Sequence, residues 1–172
     1  MLDWIVHSVA VGTLALVFGL ALSHKLRAYA RFRASLQAYG IVPEFLLGVA
    51  TPLIVALEAA ALVCLFLPGV PGSLLAFATL GIYTVAMGVN LARGRRYIDC
   101  GCGDLPTPLS SWLLLRNGLL MALAWPYGLH AGYVASPAAW LLAGAVVLVL
   151  VVFYLTMEQL LANTGVVGED HG

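Results

Sequence analysis

Residues 73–92 read SLLAFATLGIYTVAMGVNLA, and the twelve that follow, 93–104, read RGRRYIDCGCGD. The first part carries no charge over its twenty residues. Coiled at about 1.5 Å per residue, it reaches roughly 30 Å, the thickness of a bilayer's hydrocarbon core. The second part turns basic and then places Cys100 and Cys102 one residue apart between Asp99 and Asp104. A membrane crossing that ends in a polar, thiol-bearing segment sets the frame for the rest of the chain.

Outward from this stretch lie four more apolar runs of comparable length: Leu2–Ser23, Phe45–Leu67, Ser110–Leu129 and Pro137–Leu161. The 172 residues are 62% hydrophobic and 9% charged, with mean hydropathy +1.00. A soluble domain carries about 25% charged residues, so this much apolar surface needs lipid around it. The expected fold is an all-α membrane bundle of about five transmembrane helices, with a four-helix core. A single domain should cover residues 1–162, with a flexible tail at 163–172. The first run does not read as a cleavable signal, because its cations follow the apolar stretch instead of preceding it. A net charge of zero gives no electrostatic basis for nucleic-acid binding.

The connections differ in kind. Pro68–Gly72 reads as a tight turn and Leu129–Ser136 as a short uncharged one. The segments 24–44 and 93–109 are long and polar, and alternating spans put both on one face with the C-terminal tail. Within the first of them, Lys25–Tyr39 has the spacing of an interfacial helix. Leu26, Tyr29, Ala30, Phe32, Arg33 and Leu36 alternate there with Arg27, Arg31 and Gln37, suited to the headgroup plane of a lipid bilayer or to docking a partner near the cysteines.

Gly101 and Gly103 give the backbone the freedom to bring Cys100 and Cys102 together. A disulfide across so small a ring departs from relaxed geometry, which makes it reducible and suited to exchange. Arg95 and Arg96 upstream favour thiolate, as does the helix start expected at Thr107-Pro108, while Asp99 and Asp104 oppose it. Two local thiolates fall short of the four ligands of a structural metal site, so no metal is expected. An inert Gly-rich turn is the competing reading. Cys64 lies near the far end of the second long span, roughly 28 Å from the cysteine face, and reads as a small apolar residue.

Within the spans, Glu58 stands where an ionised carboxylate is costly. Arg116 and Asn117 lie in the fourth run, with Arg116 the expected partner of Glu58 across the bundle, and Asn90 could join them. Together they form a candidate cofactor or proton-handling site next to the cysteines.

The stretch Ala86–Gly103, with its Asp99-Cys100-Gly101-Cys102 core, closely resembles the methylamine utilization protein MauE family. So do Ser110-Ser111-Trp112 with Arg116-Asn117, and Lys25-Leu26-Arg27, Phe32-Arg33, Tyr39, Pro43 and Glu58, which match the wider DoxX-like group as well. The similarity runs from about residue 14 to residue 125; Asp104 departs from the aromatic–glycine continuation of broader relatives. The resemblance implies an inner-membrane protein needed for disulfide formation in the methylamine dehydrogenase small (β) subunit. It would work with a MauD-like thioredoxin-fold partner. The layout is also similar to vitamin K epoxide reductase-type oxidases, which implies a membrane quinone as electron acceptor. It then assigns Cys100 and Cys102 to catalysis and Glu58, Asn90, Arg116 and Asn117 to a quinone. Arg95, Arg96, Asp99 and Phe32 would serve the thiolate or the partner. The alternative is a non-enzymatic assembly factor that anchors partner or client.

Seven of the eight Lys and Arg residues fall on the cysteine face. The positive-inside rule would make that face cytoplasmic, where disulfides rarely persist. The family role implies the opposite, and the extracytoplasmic side is the expectation carried forward.

Overall fold

The computed structural model describes residues 2–67, 72–101, 108–125 and 136–167. They form six α-helices: α1 (Leu2–Arg27), α2 (Tyr29–Tyr39), α3 (Leu47–Cys64), α4 (Gly72–Ala92), α5 (Ser111–Ala124) and α6 (Pro137–Val167). A single 3₁₀ turn, Glu44–Leu46, leads into α3. Four helices are long and apolar enough to cross a membrane, and α5 is a shorter apolar helix. Its 14 residues rise about 21 Å. The all-α membrane bundle read from the sequence is the architecture observed.

Two ring contacts fix the helix directions. Trp4 meets Trp140 edge-on with centroids 4.7 Å apart, which places the starts of α1 and α6 side by side. Further along, a Cβ on Gly12 would lie 3.0 Å from a methyl of Val147, so α1 and α6 run parallel in close approach. Phe77 and Trp125, 5.7 Å apart, join the start of α4 to the end of α5, which makes those two antiparallel. The end of α1, the starts of α3 and α5 and the end of α4 therefore share one face with α2 and the cysteine segment.

The core is built from small residues that let helices approach and from large ones that fill the space. Ala61, Ala76 and Ala124 have no exposed surface, and Leu14, Val17, Phe18, Leu80 and Leu120 pack around them. Three threonine hydroxyls inside the bundle are satisfied locally: Thr51, Thr79 and Thr84 each donate to the carbonyl four residues earlier, at 2.7–2.8 Å. Without water, such back-bonding is how a transmembrane helix accommodates threonine. Outward, α6 presents Leu141, Leu148, Val149, Val152 and Phe153 to lipid.

Several boundaries differ from the sequence reading. The interfacial helix begins at Tyr29, not Lys25; Lys25 and Arg27 belong to the last turn of α1. Its inward face is Phe32, Ser35 and Tyr39, at i, i+3 and i+7, while Leu26 and Tyr29 are exposed. The helix thus leans on the bundle through three side chains. α6 continues to Val167, through the first half of the expected tail. Of the turn expected at Pro68–Gly72, residues 68–71 lie outside the described residues. Gly72 itself has no room for a Cβ, which would overlap the Cys64 carbonyl, as a tight return requires.

Candidate functional site

The cysteine segment starts from a well-defined helix end. Gly94, at φ 74°, returns its N–H to the Leu91 carbonyl, and the Arg95 N–H bonds the Asn90 carbonyl at 3.0 Å. This is a Schellman closure, which needs glycine at the left-handed position. The chain then runs back to pair Asp99 with Pro108 in an antiparallel bridge, with the Leu109 N–H on the Ile98 carbonyl at 3.2 Å. Pro108 is thereby held in the bridge, so α5 starts at Ser111, later than the Thr107-Pro108 start expected; its N-cap Ser110 is extended. Cys102, Asp104 and Thr107 lie outside the described residues.

Cys100 is buried, in an apolar cluster with Tyr39, Met87, Leu109 and Leu113. The Tyr39 hydroxyl donates to the Cys100 carbonyl at 3.4 Å. Asp99 accepts from the Gly101 N–H at 3.2 Å and from the Ser35 hydroxyl at 3.4 Å. Asp99 therefore pins the segment to α2. Gly101, at φ 68°, allows the close approach: a Cβ there would lie 3.3 Å from that of Ser35 and 3.4 Å from the Phe32 ring. Phe32, read as a partner-facing residue, faces inward and supports the cysteine segment. Arg95 and Arg96 are exposed, and neither lines the cavity that holds Cys100. The Arg95 guanidinium instead lies 3.0 Å from where a Cβ of Gly40 would be, at the C-terminus of α2, a favourable end for a cation.

Deeper in the bundle, three polar groups close a triangle. Lys25 donates to Glu58 Oε1 and, at 3.2 Å, to the Tyr83 hydroxyl; Tyr83 donates to the same Glu58 oxygen at 2.7 Å. Lys25 is 4% exposed and Glu58 2%, so this is a fully desolvated ion pair. Two rings complete the ammonium's surroundings, Tyr83 at 4.7 Å and Phe32 at 5.0 Å from their centroids. The expected partner of Glu58 was Arg116, and the structure corrects this. Lys25, on the last turn of α1, points its long stem inward and reaches the carboxylate first. Arg116 instead stacks its guanidinium over Tyr154, 5.2 Å from the centroid. Arg116 and Asn117 do line the same small cavity as Lys25, Glu58 and Tyr83, about 40 Å³ in volume. That is room for a few waters. Among the described residues, Glu58 Oε2 has no hydrogen-bond partner. Asn90 is fully buried but belongs elsewhere: its amide donates to the Ala86 carbonyl at 3.1 Å, and it does not line this cavity.

Two further cavities lie against the cysteine segment and share lining residues with this one. An apolar one of about 120 Å³ is walled by Phe32, Tyr39, Ile54, Tyr83, Met87 and Cys100, among others. A small one near the cysteine face is lined by His24, Lys25, Arg31, Phe32 and Gly101. Tyr83 is the wall shared by the first two cavities, and Lys25 is shared by the ion-pair cavity and the surface one. Lys25 and Tyr83 were missed in the sequence reading. Lys25 was counted with the loop cations, although its place one turn from the end of a 26-residue helix was a usable signal. Tyr83 stands four residues before Met87 and seven before Asn90, on the inward face of α4.

These features define a multi-pass helical membrane protein in which, among the described residues, a buried polar centre adjoins a cysteine-bearing segment. Among the described residues, that centre joins α1, α3, α4, α5 and α6. The chain belongs to the MauE family: the profile described as methylamine utilisation protein MauE matches residues 2–130. It is similar to the methylamine utilization protein MauE of Paracoccus denitrificans, 38% identical over 141 residues that cover 77% of this chain and 76% of that one. The protein of the same name from Methylophilus methylotrophus is 35% identical over 98 residues, 56% of this chain and 52% of its own length. That of Paracoccus versutus is 28% identical over 157 residues, covering 85% and 83%. No solved structure matches the chain.

Proposed function

We propose that the protein is a thiol–disulfide redox component of methylamine utilization, acting through Cys100 and Cys102 to support disulfide formation in the small subunit of methylamine dehydrogenase. A MauD-like thioredoxin-fold dithiol would be its direct partner, on the extracytoplasmic side of the inner membrane. The observation that supports this reading most is the setting of Cys100. Its thiol is buried in a pre-formed apolar pocket, on a segment held to α2 by Asp99 and Ser35, above a buried lysine. An inert turn needs none of this.

In the step proposed, a partner thiolate attacks the Cys100–Cys102 disulfide. A mixed disulfide forms and one cysteine leaves as thiolate. The partner's second thiol then releases the pair, so the partner ends oxidised and this chain holds two thiols. Either cysteine could be the one attacked. Reoxidation calls for a two-electron acceptor. A membrane quinone fits the pocket chemically: Phe32, Ile54 and Met87 offer apolar walls to a ring, and Tyr83 carries a hydroxyl in the wall. Bound there, such a quinone would supply the acceptor chemistry.

The test is the redox state of the client. In cells carrying Cys100→Ser or Cys102→Ser, the dehydrogenase small subunit should accumulate in reduced form, read by gel shift after thiol alkylation. A client that still matures in either variant overturns the proposal. One observation favours the assembly-factor reading: Tyr97 is 94% exposed beside the exposed Arg93, Arg95 and Arg96, a surface suited to docking. In that case, replacing those arginines by glutamine would abolish maturation while the serine variants would not.

A further inference from the structure

The redox reading uses the cysteines and leaves the buried triangle without a task. An ion pair removed from water is costly to form and is often no more stable than a well-packed apolar substitute. In a bundle with so few charges, its position therefore calls for an explanation. Lys25 and Glu58 are not equivalent with respect to Cys100. Lys25 shares the surface-side cavity with Gly101, the residue next to Cys100, and its ammonium lies over Phe32, whose ring abuts Gly101. Glu58 lines neither of the two cavities that touch the cysteine segment. The pair is thus a dipole with its positive end toward the cysteine segment at Gly101. Tyr83, which donates to Glu58 and packs against the cysteine cluster, ties the two sites together.

We propose that the Lys25–Glu58–Tyr83 triangle sets the ionisation of Cys100: Lys25 supports the thiolate past the Phe32 ring, and Glu58 holds Lys25 in place and limits its field. The inference rests on the redox reading for its purpose, since a thiolate is the species that attacks or leaves in disulfide exchange. The other charged or titratable groups around the thiol are His24 on α1, Arg31 and Tyr39 on α2, and Asp99 on its own segment. None of these changes in the variants below, so each acts as a constant background.

The magnitude follows from Coulomb's law. A unit charge about 10 Å away, at an effective dielectric near 20, moves an ionisation by roughly one pH unit, or about tenfold in thiolate population. Removing Glu58's charge and removing Lys25's charge should therefore act in opposite directions.

The experiment uses the full chain in lipid nanodiscs, reduced, in a Cys64→Ala/Cys102→Ser background that leaves Cys100 as the single thiol. The rate of N-ethylmaleimide addition is followed by mass spectrometry against pH, and the midpoint of the profile is the readout. Glu58→Gln, which keeps the size and hydrogen-bonding capacity of the side chain, should lower the midpoint by about half a unit, less than the lysine's effect because the carboxylate is the farther charge. Lys25→Met should raise it by about one unit. Should Lys25→Met fail to fold because it strands a buried carboxylate, Lys25→Met/Glu58→Gln takes its place, and it too should lie above the parent. Midpoints that stay put, or move in the same direction for both charges, overturn the inference. A merely structural role would change stability and amplitude without a shift of opposite sign. The profile needs no partner or acceptor, so opposite shifts in a protein whose Cys100→Ser form still matures the client would overturn the redox reading alone.

Discussion

Gly101→Ala tests how the cysteine segment is held. Two costs apply. At φ 68° an L-residue sits in the left-handed region, which costs roughly 1–2 kcal/mol. The new methyl would also stand 3.3 Å from the Ser35 Cβ and 3.4 Å from the Phe32 ring, contacts tight enough that α2 must give way by a few tenths of an ångström. Local strain of about 2 kcal/mol follows, concentrated where Asp99, Ser35 and Tyr39 fasten the segment. If Cys100 reacts through local opening of this segment, its alkylation rate should rise by about thirtyfold at constant pH. Gly94→Ala is the matched control. It has a similar φ of 74° but nothing within 4 Å of the added methyl, so it pays backbone strain alone and lies outside the contact with α2. The assay is N-ethylmaleimide addition to Cys100 in the single-thiol background, with circular dichroism to confirm that helix content is unchanged. Equal rates for Gly101→Ala and the parent would refute the claim that contact with α2 buries Cys100.

Three other outcomes follow from the same geometry. In Gly12→Cys/Val147→Cys, the two Cβ atoms would be 3.9 Å apart, within the range of a disulfide, so mild oxidation should cross-link α1 to α6; no cross-link would refute their parallel packing. Phe32→Ala removes a ring from both Lys25 and Gly101 and should lower stability by about 3 kcal/mol, read as a fall in the thermal midpoint in detergent; an unchanged midpoint would place Phe32 on the lipid side after all. Tyr97→Cys, at a site 94% exposed, should label with a membrane-impermeant maleimide in intact cells; labelling only after permeabilisation would put the cysteine face in the cytoplasm.

The helices were legible because lipid imposes a length. Runs of about 20 predominantly apolar residues admit few other readings, and α1, α3, α4 and α6 lie within those runs or extend past them by a few residues. Where the competing constraint was local, the boundary moved. Thr107-Pro108 has the chemistry of a helix start, yet Pro108 is used in the bridge with Asp99, and the helix waits for Ser111. The inward face of α2 was half legible. Phe32 and Leu36 were assigned to the apolar side, but Ser35 faces inward because Asp99 supplies it an acceptor from a segment 64 residues away.

The polar centre shows why composition can name a buried charge without naming its partner. Glu58 stood out because a carboxylate in mid-span must be compensated. Arg116 was the nearest intramembrane cation in depth, and the pairing seemed to follow. What decides the pairing is reach as well as depth. A lysine near a helix end carries a four-carbon stem that can turn toward the interface or into the bundle, and the sequence records no difference between the two. Here the inward direction is favoured by what meets it: one carboxylate oxygen, a tyrosine hydroxyl and two aromatic faces, all converging on one ammonium. Once Lys25 is counted inside the bundle, the basic character of the cysteine face rests on exposed arginines alone, Arg27, Arg31, Arg33, Arg93, Arg95 and Arg96. Arginine binds phosphate and carboxylate groups bidentately, so that face is equipped for lipid headgroups or an acidic partner as much as for setting orientation. The same residue that leaves the surface count lines the cavity that reaches Gly101, next to the buried thiol, and the orientation question and the ionisation question meet at Lys25.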